Sequence, residues 1–148
     1  MVGSRAVLAV TAVAVASGVL HGIALAQNGG RDQSVWDGVF TVVQAKRGAQ
    51  EYRNACASCH LDSLGGADMA PALVGETFLT KWNELSVGDL FERTRISMPQ
   101  DSPASLSRQA YIDMVAYVLQ ANKLPAGEYE LGHDLAALKQ IKILSKRN

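Results

Sequence analysis

Residues 54–61 read NACASCHL and bring both cysteines of the chain together with one of its three histidines. Two thiols and an imidazole within five residues suit three chemistries: zinc ligation, a dithiol redox cycle, or covalent attachment of a haem. The flanking sequence separates them. Upstream, Val42, Val43, Ala45, Ala49, Tyr52 and Ala55 recur at roughly helical spacing between Lys46, Arg47, Gln50 and Arg53, so a helix from Phe40 to Ala55 runs into the motif. Downstream, LDSLGGADMAPALVGETFLTKW (61–82) carries Gly65, Gly66, Gly75 and Pro71, which predicts a long loop with one short turn after Gly75.

A structural zinc site needs four ligands, and beyond Cys56, Cys59 and His60 only His133 or a carboxylate is left to supply the fourth. A dithiol oxidoreductase carries its C-x-x-C after a strand in a βαβ setting, whereas this motif ends a helix and precedes a loop. A structural disulfide across two intervening residues would close a very small loop and stabilise little. C-x-x-C-H is the attachment sequence of haem c. Its thiols add to the two vinyl groups as thioethers, and the next residue supplies the proximal imidazole. Three residues apart at a helix terminus, Cys56 and Cys59 project to one side, which places His60 to ligate iron.

The N-terminus fits this reading. Arg5 precedes an apolar, Ala-rich run from Ala6 to Leu20, and Ala24-Leu25-Ala26 ends it with small residues at the cleavage positions. The run is short for a stable membrane span. Residues 1–26 therefore read as an export signal, with an uncleaved anchor as the alternative. Cleavage leaves 27–40 as an N-terminal extension and 41–148 as one domain with a C-terminal helical tail. The mature chain would be periplasmic or secreted, without a membrane span, in the compartment where haem is attached covalently. His21 departs with the signal, and His133 reads as a surface residue. A formal net charge of zero, with no basic stripe, gives no reason to expect a nucleic-acid partner.

A haem iron with His60 on one side needs a decision on the other. A thioether ligand raises the reduction potential and blocks small molecules, while an open position admits oxygen or peroxide. Met114 sits on the apolar face of the strongest helical pattern, about Ser107 to Asn122, beside Tyr111, Val115 and Val118, and reads as core. Met69 follows His60 too closely for a loop that must round the porphyrin edge. Met98 lies at a break between helices, where Pro99 excludes continued helix, and suits a strap presenting sulfur to iron. Before it, Ser86-Val-Gly-Asp89 is a capping box opening a helix to about Ile96, with Leu85, Leu90, Phe91 and Ile96 as apolar contacts. A tail helix is expected from Asp134 to Leu144. No strand pattern of useful length and no internal repeat is evident, so the fold class is all-α with long loops. With 48% hydrophobic residues but much glycine-rich loop, such a chain is short of apolar surface and would gain from a large prosthetic group as its core.

Taken together, these residues resemble the class I mono-haem cytochromes c from Gln44 onward. The matching features are Gly48 and Tyr52 before CASCH (56–60), then APALVG (70–75), Met98-Pro99 and the final helix YIDMVAY (111–117). The resemblance implies three to five helices wrapped around one covalently bound haem c. It implies that Pro71 lends its carbonyl to the His60 imidazole, and that the first helix packs on the last through Gly48 against Met114, with Tyr52 and Tyr117 nearby. It also implies that Trp82 reaches a haem propionate, although a buried packing Trp reads equally well from the residue alone. Trp36, before the first helix, reads as a packing anchor. SVWDGVFT (34–41), the Trp82 region and LQANKLPAG (119–127) are similar to a narrower bacterial group found alone, fused to or encoded with pyrroloquinoline-quinone (PQQ) dehydrogenases. That similarity implies single-electron transfer by Fe(II)/Fe(III) cycling between a dehydrogenase and a respiratory acceptor such as a terminal oxidase, rather than catalysis. The rival is a haem enzyme or small-ligand-binding haem protein with an open sixth position. A dedicated subunit of a dehydrogenase, docked through Trp36 and residues 132–148, is a further alternative.

Overall fold

Helix α1 (Val42–Ala55) and helix α5 (Arg108–Ala121) meet at Gly48, and that contact sets the frame of the molecule. A Cβ at Gly48 would fall 1.8 Å from the Asp113 carbonyl oxygen, so no side chain fits where the two backbones touch. Thr41 and Ser107 cap the two helices, each accepting from a backbone N–H three residues on. The Tyr52 and Tyr117 rings lie 5.3 Å apart alongside, and Met114 is buried in the same interface, as the sequence led us to expect. The computed structural model describes residues 33–147, so the expected signal segment 1–26 lies outside the described residues.

Around this pair, the described residues hold α2 (Ala57–His60), α3 (Gly75–Trp82), α4 (Val87–Ser97) and α6 (Leu135–Leu138), a 3-10 turn (Val35–Asp37), and two short strands, β1 (Gln33–Ser34) and β2 (Ile141–Lys142). The architecture is mostly helical, as expected. The capping box at Ser86 and Asp89 is present, with the Ser86 hydroxyl taking the Asp89 N–H at 3.0 Å.

Several local expectations need correction. The turn after Gly75 is an eight-residue helix, because Phe78, Leu79 and Trp82 form a helical face on which Phe78 is fully buried. Val42 and Val43 are exposed, since the Gly48 contact rotates Gln44, Ala45, Gly48 and Tyr52 inward instead. On α4 the inward face is Val87, Leu90 and Phe91, leaving Leu85 and Ile96 exposed. The tail is not one helix. Asp134 caps a single turn, after which Ile141 and Ile143 point inward and Lys142 outward with a period of two. β2 pairs in parallel with β1, a strand absent from the sequence reading because each consists of two residues and its partner lies a whole domain away.

That pairing changes the account of the core. The buried apolar cluster includes Val35, Val39 and Phe40 from before α1, and Leu131, Leu138, Ile141 and Ile143 from the tail. The Trp36 indole N–H donates to the Leu144 carbonyl at 3.0 Å, so this anchor ties extension to tail. The scarcity of core expected of the sequence is thus partly made up by segments that looked peripheral, each fully buried side chain contributing about 1.5–3 kcal/mol.

Candidate functional site

Cys56 is the hinge between α1 and α2, ending one helix and opening the next. Its carbonyl accepts from His60 N at 2.9 Å and Cys59 N at 3.2 Å, so the motif closes into one helical turn. Cys59 is exposed on that turn, Cys56 is half-buried, and the Cys56 Sγ lies 3.5 Å from the Met114 Sδ. Burial first, and the neighbouring Cys59 second, push the Cys56 thiol up to about 11. A thiol protonated at neutral pH is the opposite of the lowered-pKa nucleophile that dithiol exchange requires.

His60 ends the turn and is only 7% exposed. Its Nδ1 lies 2.9 Å from the Pro71 carbonyl oxygen. A carbonyl can only accept, so Nδ1 carries the proton and Nε2 keeps the lone pair. The loop that returns Pro71 to His60 is tied at successive points. Gly66 N donates to the His60 carbonyl at 3.1 Å, Ala67 and Ala70 exchange backbone bonds, and Leu73 N donates to the Leu64 carbonyl at 2.8 Å. The buried Tyr52 hydroxyl holds the Leu61 carbonyl at 2.6 Å, and burial raises its pKa. Asn122, at the end of α5, clamps the far side, donating to the Leu73 carbonyl and accepting from Gly75 N, both at 2.9 Å.

Met98 caps the C-terminus of α4 and precedes a cis peptide bond to Pro99. Its carbonyl accepts from the Tyr111 hydroxyl of α5 at 2.7 Å, and Tyr111 is fully buried. Met69 is 94% exposed and makes no packed contact with the core. Trp82 is half-buried against Phe78, with ring centroids 6.2 Å apart. His133 is exposed, and its backbone carbonyl accepts from Arg108 Nη2 at 2.7 Å.

The structure therefore brings Pro71 to His60, fixes Met98 to α5, and leaves Trp82 in a packed position. Sequence reasoning missed Asn122 and Tyr111 as braces. Asn122 carried only the signal of a polar residue ending a helix, and Tyr111 looked like one more apolar position on α5. It also missed Arg47, which joins α1 to the buried Asp113 at 2.9 Å and to Glu130 at 2.7 Å. The two carboxylates, Glu130 foremost, raise the pKa of Arg47, and in turn Arg47 lowers that of Glu130.

The donor set fits haem c. Two cysteines share one turn, a buried histidine has its Nδ1 proton engaged and its Nε2 lone pair left for a metal, and a thioether sits at a braced helix end. Arg95, in the last turn of α4, has a buried Nε without a hydrogen-bond partner among the described residues, a donor that a haem carboxylate would suit. Zinc fits less well, since among the described residues no three His, Cys, Asp or Glu side chains gather around one point. Among the described residues, no helix is long and apolar enough to cross a membrane.

A family profile described as Cytochrome C oxidase, cbb3-type, subunit III matches residues 43–118, from the first turn of α1 to the last turn of α5. Comparison with curated proteins finds no match. Among solved structures, the sulfane dehydrogenase SoxCD from Paracoccus pantotrophus is similar over 79% of this chain and 68% of its own, at 21% identity and a TM-score of 0.49. The profile spans more than half of the 148 residues and includes Cys56, Cys59, His60, Pro71, Trp82 and Met98. The chain belongs to that cytochrome c family and is a small class I mono-haem cytochrome c, a haem protein of electron transfer.

Proposed function

We propose that this cytochrome is an exported single-electron carrier with covalently bound haem c and His60/Met98 axial ligation. The observation that carries this reading is the 2.9 Å contact between His60 Nδ1 and the Pro71 carbonyl. It holds the proton on Nδ1, orients the ring and makes Nε2 a better donor. Cys56 and Cys59 tether the group by thioether bonds. Haem c supplies a one-electron Fe(II)/Fe(III) couple. The chain's task is to keep the ligand set the same in both states, so that little rearranges when an electron moves. Met98 would serve this by supplying its thioether to the iron and so keeping small ligands out. Its backbone is held by Tyr111, which limits its excursions. Trp82 would offer its indole N–H to a propionate.

Cleavage of residues 1–26 delivers the chain to the periplasm, leaving 27–40 as an extension and 41–148 as the cytochrome domain. A PQQ-dependent dehydrogenase is the donor and a terminal oxidase the acceptor, each docking through a small interface. Net charge of zero predicts only modest dependence of partner kinetics on salt. The rival with an open sixth position gains no support from His133, which lies exposed in the tail and is engaged through its backbone. In the subunit alternative, Trp36 is tied through its indole N–H to Leu144 and so stands beside the tail.

The test is a pyridine haemochrome spectrum of the exported protein together with the mass of the peptide carrying Cys56 and Cys59. One haem c per chain, retained on that peptide after denaturation, is the expected result. A haem extractable by acidified solvent would overturn covalent attachment.

A further inference from the structure

The tail reaches α4 only after being secured to the other two long elements. At its start, the buried Gln44 side chain of α1 makes two 2.8 Å bonds to the Leu131 backbone, donating to its carbonyl and accepting from its N–H. Arg47 adds the contact to Glu130, and Arg108 of α5 donates to the His133 carbonyl while its guanidinium lies 5.2 Å from the Phe91 ring centroid. The chain then closes on the beginning of α4. Lys139 pairs with Asp89, and Lys142 bridges to Ser86. Ile143 N donates to the Leu85 carbonyl, and Glu84 N to the Ile143 carbonyl, both at 2.8 Å. At Gly88 the contact is close enough that a Cβ would stand 2.8 Å from Lys139 N. Leu138 and Ile143 are buried beneath.

The tail's contacts with α4 fall on residues 84–89, its first turn and approach. An α-helix of this length is a stiff rod about 16 Å long, so holding one end fixes where the other end points. The other end is Met98. We propose that the C-terminal tail is a splint for α4, and that Gly88 and Lys139 are positioning residues keeping Met98 on the iron. This rests on Met98 being the sixth ligand. Tyr111 holds the Met98 carbonyl directly, and the tail holds the lever that carries it.

The experiment uses the full haem-loaded chain with Gly88→Ala and Lys139→Ala. Gly88→Ala forces the tail away from α4, and Lys139→Ala removes one tail contact while leaving the Ser86–Asp89 cap intact. Two quantities are read: the association rate of carbon monoxide with the ferrous protein, and the temperature at which the sulfur–iron charge-transfer band of the ferric protein is lost, compared with loss of helical ellipticity. Expected for Gly88→Ala is a roughly fivefold faster association, with the band lost before the helices melt; for Lys139→Ala, roughly twofold in the same direction. A tail that only adds global stability would lower both transitions together and leave the association rate at the wild-type value, which would overturn the splint. If Gly88→Ala does not fold, an unchanged rate in Lys139→Ala overturns it equally. A wild-type protein lacking the sulfur–iron band overturns both the ligand assignment and the splint. A normal wild-type band with unaltered variants overturns the splint alone.

Discussion

The two sides of the molecule are held in different ways. On the His60 side, the loop from Leu61 to Val74 buries Leu64 and packs Leu73 and Val74 on the core, and is held besides by polar contacts: Pro71 on His60, Asn122 on Leu73 and Gly75, Tyr52 on Leu61. On the opposite side, residues Gln33–Phe40 and the tail close on one another through buried apolar side chains and a strand pair. The first is a ligand site made from loop backbone, which a prosthetic group would complete. The second draws on segments remote in sequence from the motif, within the same apolar cluster against which Cys56 and Ala57 pack. Under the proposed ligation by Met98, α4 is where the tail and the ligand set meet.

Replacing both Cys56 and Cys59 by Ala gives the largest effect. Covalent haem is lost completely, and amide exchange quickens across α2 and the following loop, while the α1–α5 contact and the tail keep measurable protection. Uniform loss of protection everywhere would mean that the two sides are one cooperative unit.

Gly48→Ala follows. Its Cβ would overlap the Asp113 carbonyl, so the long helices must separate, at a cost of about 3 kcal/mol read from chemical unfolding. A near-neutral result would show that this frame is less rigid than its geometry implies. Tyr111→Phe removes the hydrogen bond to the Met98 carbonyl, with the long one accepted from Leu106 N, and costs about 1 kcal/mol, but its signature belongs to the ligand side: Met98 becomes easier to displace by imidazole. Stability loss with unchanged imidazole affinity would place Tyr111 on the core side alone.

The smallest effect is a pH dependence at the start of α4. Lys139 first, and Ser86 second, hold the Asp89 carboxyl down to about 2 from an ordinary 3.8. A carboxylate lowered on folding contributes stability present above about pH 4 and lost as the pH falls towards about 2. The pair is partly exposed, so solvent screens most of it and the contribution is small. In Asp89→Asn the acid limb of the stability curve should flatten over that window. An unchanged acid limb would assign the fall to other carboxylates.

The ligand side was the more legible in sequence, because its chemistry is local. CASCH is five consecutive residues, Met98-Pro99 is two, and the Ser86–Asp89 cap is four. Each carries its physical reason in its own spacing. Gly48 and Pro71 became interpretable only through resemblance, since what they touch is far along the chain. The core side stayed hidden for the same reason. Ile141 and Ile143 alternate too briefly to signal a strand, and Gln33 and Ser34, which pair with the tail, carry no pattern at all. Gln44 is polar yet fully buried, because Leu131 satisfies both ends of its amide. Local chemistry is written in neighbouring residues, whereas a clasp between the two ends of a chain is written in their meeting.

The central claim is that His60 and Met98 together close the iron to everything but electrons. Carbon monoxide added to the ferrous protein at neutral pH tests it most directly, with Met98→Ala beside the wild type. The account predicts that the wild type keeps its spectrum and that Met98→Ala shifts promptly to the carbonyl form with a lowered reduction potential. A wild type that binds carbon monoxide as readily as Met98→Ala would contradict it.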